Sequence, residues 1–178
     1  MKKKPASYFR TLSGSLINLV NPSRFTIHLS DISHGLSLLC RFSGQTPVFY
    51  SVAAHSIEVS NWIERNGGTP LEALTGLLHD ASEAYLADLP SPAKALCPDY
   101  MRLEKRLQKC IAQRYSIPYP FPKIVHIADK EVLKYELLFQ QDIGYKIPMM
   151  GKDVELMFIE RYRELFRAKR QPIKTNRK

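Results

Sequence analysis

GLLHDASEAYLADLPSPAK, Gly76–Lys94, sets a histidine and an aspartate side by side in a segment that otherwise has the apolar spacing of a helix. Adjacent helical side chains diverge by about 100°. His79 and Asp80 therefore cannot both point straight into one pocket, although an ion lying beside the helix can take both at its flank. Glu83 follows one turn after His79 and three residues after Asp80, on the same side. Asp88 comes where the helix is expected to end, and Pro90 and Pro92 then stiffen an irregular connection. Polar groups on a leucine-rich face are costly to bury unless something satisfies them, and a divalent cation would do so.

Outward from this segment, helical periodicity recurs. It predicts helices over Asp31–Phe42, Tyr50–Arg65, Pro70 to about Leu86, Asp99–Tyr115, Lys123 to about Gln141 and Lys152–Phe166. Asn66-Gly67-Gly68 stops the second, and Thr69-Pro70 supplies a cap and a first-turn proline for the third. No stretch alternates apolar and polar residues for long, so strands should be few or absent. The expected class is all-α, a bundle of about six or seven helices around one metal pocket. Residues 1–10 read as a flexible basic lead, 11–167 as the domain, and 168–178 as a frayed basic tail.

The bulk composition narrows the classes. The chain has 178 residues, enough for one domain with a real core. Its apolar runs are far shorter than a membrane span, and no apolar run follows the basic N-terminus as a secretory signal would require. Cys40, Cys97 and Cys110 are widely spaced, which argues against a disulfide framework or a thiolate zinc site. A reducing cytoplasm is the expected setting. The formal charge of +9 invites a nucleic-acid partner. However, nine of the 26 basic residues lie in the first four and last twelve positions, where there is no acid; that leaves 17 of each sign between. Such charge reads as solvated tails, so nucleic acid and membrane are not expected partners.

In its motifs the chain resembles the HD metal-dependent phosphohydrolase superfamily, and especially its bacterial 5′-deoxynucleotidases and phage or prophage HD hydrolases. Those proteins show HDxxE on a helix followed by a GD(I/L)PxPxK turn; here the run is HDASEAYLADLPSPAK, with alanine at 87 in place of the usual glycine. DISHGLSLLCRFSGQT (31–46), YSVAAHS (50–56) and VHIADKEVLKYE (125–136) resemble the flanking motifs in the same order. The resemblance implies His55, His79, Asp80 and Asp129 as ligands of one divalent transition metal (manganese, cobalt, zinc or iron). It implies Glu83 as general acid or base, or as the group positioning the attacking water, and Asp88 beside the scissile bond or sugar hydroxyl. Arg41 and Lys94 would hold phosphate oxygens, and Phe42 would test the sugar. The implied reaction is metal-assisted hydrolysis of a nucleotide phosphate ester, with a deoxynucleoside monophosphate or triphosphate as substrate, in a homo-oligomer.

Imidazole and carboxylate ligands suit transition metals. Phosphoryl transfer needs positioning and positive charge more than a covalent nucleophile. Three rival readings stand beside this one: hydrolysis of a signalling nucleotide, a non-catalytic HD protein that only binds metal or nucleotide, and nucleic-acid binding through the basic tails. Asp31 and His34, three residues apart, form a second candidate pair, read as a structural polar network or a pocket or subunit contact rather than as ligands. His126 is read as a helix residue near the site.

Overall fold

A computed structural model of the chain describes residues 7–139 and 151–170. It is a helical bundle with one small antiparallel hairpin, β1 (Tyr8–Arg10) against β2 (Leu16–Asn18), with Phe9 opposite Ile17. The helices are α1 (Leu29–Leu38), α2 (Val52–Arg65), α3 (Pro70–Leu78), α4 (Glu83–Leu86), α5 (Ser91–Ala95), α6 (Pro98–Tyr115), α7 (Lys123–Phe139) and α8 (Lys152–Ala168). Six of them reach nine residues or more, in keeping with the expected bundle.

α2 is the axis of the molecule and packs on α1, α3, α7 and α8. Its apolar stripe of Val52, Val59 and Ile63 is wholly buried, against Leu74 and Leu77 of α3, Phe158 and Leu165 of α8, and Ala128 of α7. Each such side chain contributes about 1.5–3 kcal/mol by leaving water. Ser51 caps α2 by accepting from the Ala54 N–H, and Thr69 and Glu72 close a reciprocal capping box at the start of α3. Gly76 lets α3 press onto α2, because a Cβ there would lie 2.5 Å from Ile63 Cδ1 and 3.2 Å from Val59 Cγ1.

The expected elements differ from the observed ones in several places, and the connection expected to be irregular contains α5. The first helix ends at Leu38 instead of Phe42; Cys40 then bridges to Ser51, and Phe42, Ser43 and Gly44 all take positive φ in a tight turn. The third does not run unbroken to Leu86. After Leu78 its bonds shorten to three residues, Ala81 N–H to Leu78 O and Glu83 N–H to Asp80 O, before α4 begins. The hairpin is the exception to the absence of strands, and Tyr8–Arg10 fall inside the expected lead. It is tied down by Asp31, which accepts from Ser13 N–H at 2.9 Å and Ser13 Oγ at 2.8 Å. The start of the expected tail is also packed: Lys169 donates to Tyr115 O, and Arg170 lies over Phe166. Residues 1–6 and 171–178 of the expected lead and tail, and the expected end of the fifth helix at Gln141, lie outside the described residues. Among the described residues no helix is long and apolar enough to cross a membrane, and the three cysteines are free.

Candidate metal centre

Three elements meet at one point. α2 brings His55, the turn after α3 brings His79 and Asp80, and α7 brings Asp129. The two imidazole rings stand 5.4 Å apart, close because Gly76 allows the helices that carry them to touch. Each ring is fixed from behind. His79 Nδ1 donates to Gly76 O at 2.7 Å, and His55 Nδ1 donates to Glu136 Oε1 at 2.7 Å. A carbonyl can only accept, so the proton of neutral His79 sits on Nδ1 and the Nε2 lone pair faces the site.

Both Nε2 atoms are buried and have no hydrogen-bond partner of proper geometry. Around them stand carboxylates. Asp80 Oδ2 lies 3.2 Å from His79 Nε2 and 3.7 Å from His55 Nε2; Asp129 Oδ1 lies 3.1 Å from His55 Nε2 and 3.8 Å from His79 Nε2. Imidazole nitrogens facing carboxylates are of the chemistry that metal ions take, and Nδ1–H bonds of this kind orient histidines in metal sites. His55, His79 and Asp80 form a group that can hold a metal ion.

The electrostatics say the same. Burial opposes charge on His79, but Asp80 and Asp129 outweigh it and hold its pKa well above the ordinary value. Burial would raise Asp80 and Asp129; instead the two histidines, with Arg41 beside Asp80, hold both carboxyls well below the usual range. The site draws in positive charge, and without a cation a proton on His79 supplies it.

Glu83 behaves in the opposite way. The shortened turn puts it three residues after Asp80 in near-eclipsed register, and it is buried. Burial first, then Asp80 and Asp88, push its pKa up to about 9, so the carboxyl is neutral at pH 7. Its Oε2 is buried without a partner. Lys94 stands 3.5 Å from Glu83 Oε1 and is bound more closely to Glu104, at 2.7 Å. Asp88 is partly buried, and that burial raises its pKa against the pull of Arg41. It follows Ala87, whose φ of 69° and ψ of 160° belong to glycine territory. Tyr100 Oη donates to Ala87 O at 2.6 Å and holds that turn.

Arg41 is buried, with Nη2 on Glu136 Oε2 at 2.9 Å, Nη1 3.8 Å from Asp80 Oδ2, and Nε unpartnered. Burial works against its charge, but Glu136, Asp80 and Asp88 overcome that and raise its pKa. Phe42 lies under this guanidinium, 5.1 Å from centroid to Cζ. The expected residues are thus brought to one region. The other candidates stand apart: Asp31 ties the hairpin, His34 pairs with Glu155 at 3.2 Å, and His126 is exposed.

Glu136 is the residue that motif reading passed over. It lies seven residues after Asp129, two helical turns along the same face of α7, so the spacing carried the signal.

No family model matches the chain. A 126-residue stretch, 68% of the chain, is 37% identical to an uncharacterized protein of Rhodobacter capsulatus and spans 64% of that protein's length. Over 138 residues, 78% of this chain and 73% of its partner, it is 35% identical to the uncharacterized protein YfdR of Escherichia coli (strain K12). At that identity and coverage, the chain belongs to the family of YfdR.

Proposed function

We propose that this protein is a metal-dependent phosphohydrolase of the HD type acting on nucleotides, with deoxynucleotides as the expected substrates. The reading is carried by one observation: two buried imidazole nitrogens, each with its far side locked, are left open towards Asp80 and Asp129. His55, His79, Asp80 and Asp129 would hold manganese, cobalt, zinc or iron. When bound, the cation supplies Lewis acidity and positive charge to a phosphoryl oxygen.

The remaining work falls to side chains. Arg41 presents a guanidinium to the phosphate, the geometry best suited to paired oxygens. Lys94 adds charge beside Glu83. Glu83, which burial and its acidic neighbours hold protonated in the metal-free site, would donate its proton to the departing 5′ oxygen as water attacks phosphorus, and the proton given up by that water would restore it. Asp88 accepts a hydrogen bond from the water or the sugar hydroxyl, and Phe42 packs against the sugar under Arg41.

The test uses metal-stripped protein with manganese, cobalt, zinc or iron restored, a panel of deoxy- and ribonucleoside mono- and triphosphates, and chromatographic product analysis. Metal-dependent release of phosphate or triphosphate from deoxynucleotides, lost in Asp80→Ala, is the expected result. Metal binding with no turnover of any nucleotide would sink the reading.

A further inference from the structure

Glu136 touches neither open imidazole nitrogen, yet both halves of the site end on it. Its Oε1 takes the Nδ1–H of His55 at 2.7 Å, and its Oε2 takes Nη2 of Arg41 at 2.9 Å. The Tyr50 phenol lies close to the same carboxylate and helps hold its pKa down. These groups arrive from α2, from the turn after α1 and from the residues before α2. They are brought together by the Arg41 N–H to Tyr50 O bond, 2.8 Å, and by Ser51 capping α2. Glu136 is only 7% exposed, so water does not stand in for it. Arg41 Nε already lacks a partner, and losing the bond at Nη2 would orphan a second buried donor.

We propose that Glu136 is a positioning residue that couples the two grips of the site, with one carboxylate oxygen aiming His55 at the metal and the other holding Arg41 for the substrate anion. The coupling rests on the metal-site reading given above, and extends it to a residue outside the ligand set. Neither group can shift without disturbing the acceptor that the other uses. A carboxylate is required because it offers an oxygen to each donor, whereas an amide has one oxygen and one NH2. In Glu136→Gln the single oxygen serves either His55 or Arg41, and the NH2 confronts the other as donor against donor. Replacing Arg41 with methionine as well removes that conflict and frees the amide oxygen for His55.

The experiment is a cobalt titration of the full chain followed by visible ligand-field absorption. Wild type, Glu136→Gln, Arg41→Met and the double variant are compared, with far-ultraviolet circular dichroism on each. Glu136→Gln should weaken cobalt binding by about 10–100-fold and shift the absorption band, as loss of an outer-shell partner does. Adding Arg41→Met should tighten cobalt binding more in Glu136→Gln than in wild type, an excess that loss of the Arg41 charge beside Asp80 would not produce by itself. If Glu136→Gln fails to fold, Arg41→Met carries the test, since Arg41 is not a ligand and yet should shift the band of bound cobalt. Wild-type affinity in Glu136→Gln, absence of that excess in the double variant, or an unshifted band in Arg41→Met overturns the coupling while the metal site stands. A wild-type protein that binds no cobalt overturns both.

Discussion

The two sides of the site are built by different means. His55 and Asp129 stand inside long helices and His79 at the end of one, with relaxed backbone throughout, and their positions follow from how α2, α3 and α7 pack. Phe42 and Asp88 sit on short segments between helices, and Lys94 on the five-residue α5. Phe42 itself has a φ of 55°, and Asp88 follows an alanine at 69°. On the proposed function, the metal side would be held by the core, and the substrate side by local strain and a few pins such as Tyr100 and Glu104. Damage to the first should cost metal, and damage to the second should cost turnover with the metal retained.

The largest expected effect breaks the metal side alone. His79→Ala removes a ligand whose loss no neighbour can cover, and metal content after gel filtration should fall by more than about 100-fold in affinity, beyond the range for outer-shell partners. Circular dichroism should still report a helical protein. Retention of stoichiometric metal would show that the imidazole pair is not the centre.

Next in size is Glu83→Gln, which should lower turnover by about 10²–10⁴-fold with cobalt affinity little changed. The same variant separates the two sides by pH. The folded pKa of Glu83, about 9, lies above its ordinary value of 4.5, so the native state keeps a proton that the unfolded chain releases. In metal-free protein this component of stability is full below pH 4.5 and is lost as pH rises towards 9. Melting temperature followed across that window should fall less steeply in Glu83→Gln than in wild type. Parallel slopes would mean the carboxyl is already ionised at neutral pH.

Gly76→Ala comes third and tests whether core packing sets the metal geometry. The added methyl meets Ile63 Cδ1 at 2.5 Å inside a fully buried contact. A destabilisation of about 1–2 kcal/mol is expected from denaturant unfolding, overpacking partly offset by helix propensity. Cobalt affinity should drop with it, because the ring of His79 hangs from this residue. Destabilisation without any change in affinity would uncouple the two. Smallest is Ala87→Gly, which should raise stability by about 1 kcal/mol by relieving positive φ. It should leave metal binding untouched and alter only turnover.

The same division governs what could be read from the residues alone. The long helices were legible because their apolar spacing is strong and Thr69-Pro70 and Asn66-Gly67-Gly68 mark their ends. The break at His79–Ser82 was not, because Ala81, Tyr85 and Leu86 keep an apolar pattern through it, and the shift to tighter hydrogen bonds changes register without changing composition. The left-handed turn at Phe42 and Ser43 has no sequence signature, since neither residue favours positive φ. Ala87 stood out only through the resemblance, which places glycine there; its observed φ gives that preference a physical reason. Glu136 was passed over: it lies two helical turns after Asp129, but a glutamate on a charged helix does not by its type announce that it faces inward.

Gly76 O, holding the Nδ1 proton of His79, has a consequence for time as well as place. It is one of the carbonyls that a helix end leaves without a backbone partner, so the tautomer of the imidazole is chosen by the termination of α3 and is already in place before any ion arrives. Once the Nε2 proton has left, the ring of His79 does not need to turn. Capture should then run at the pace at which an arriving ion sheds its own water, and stopped-flow traces with manganese and nickel should differ as those ions differ in water exchange.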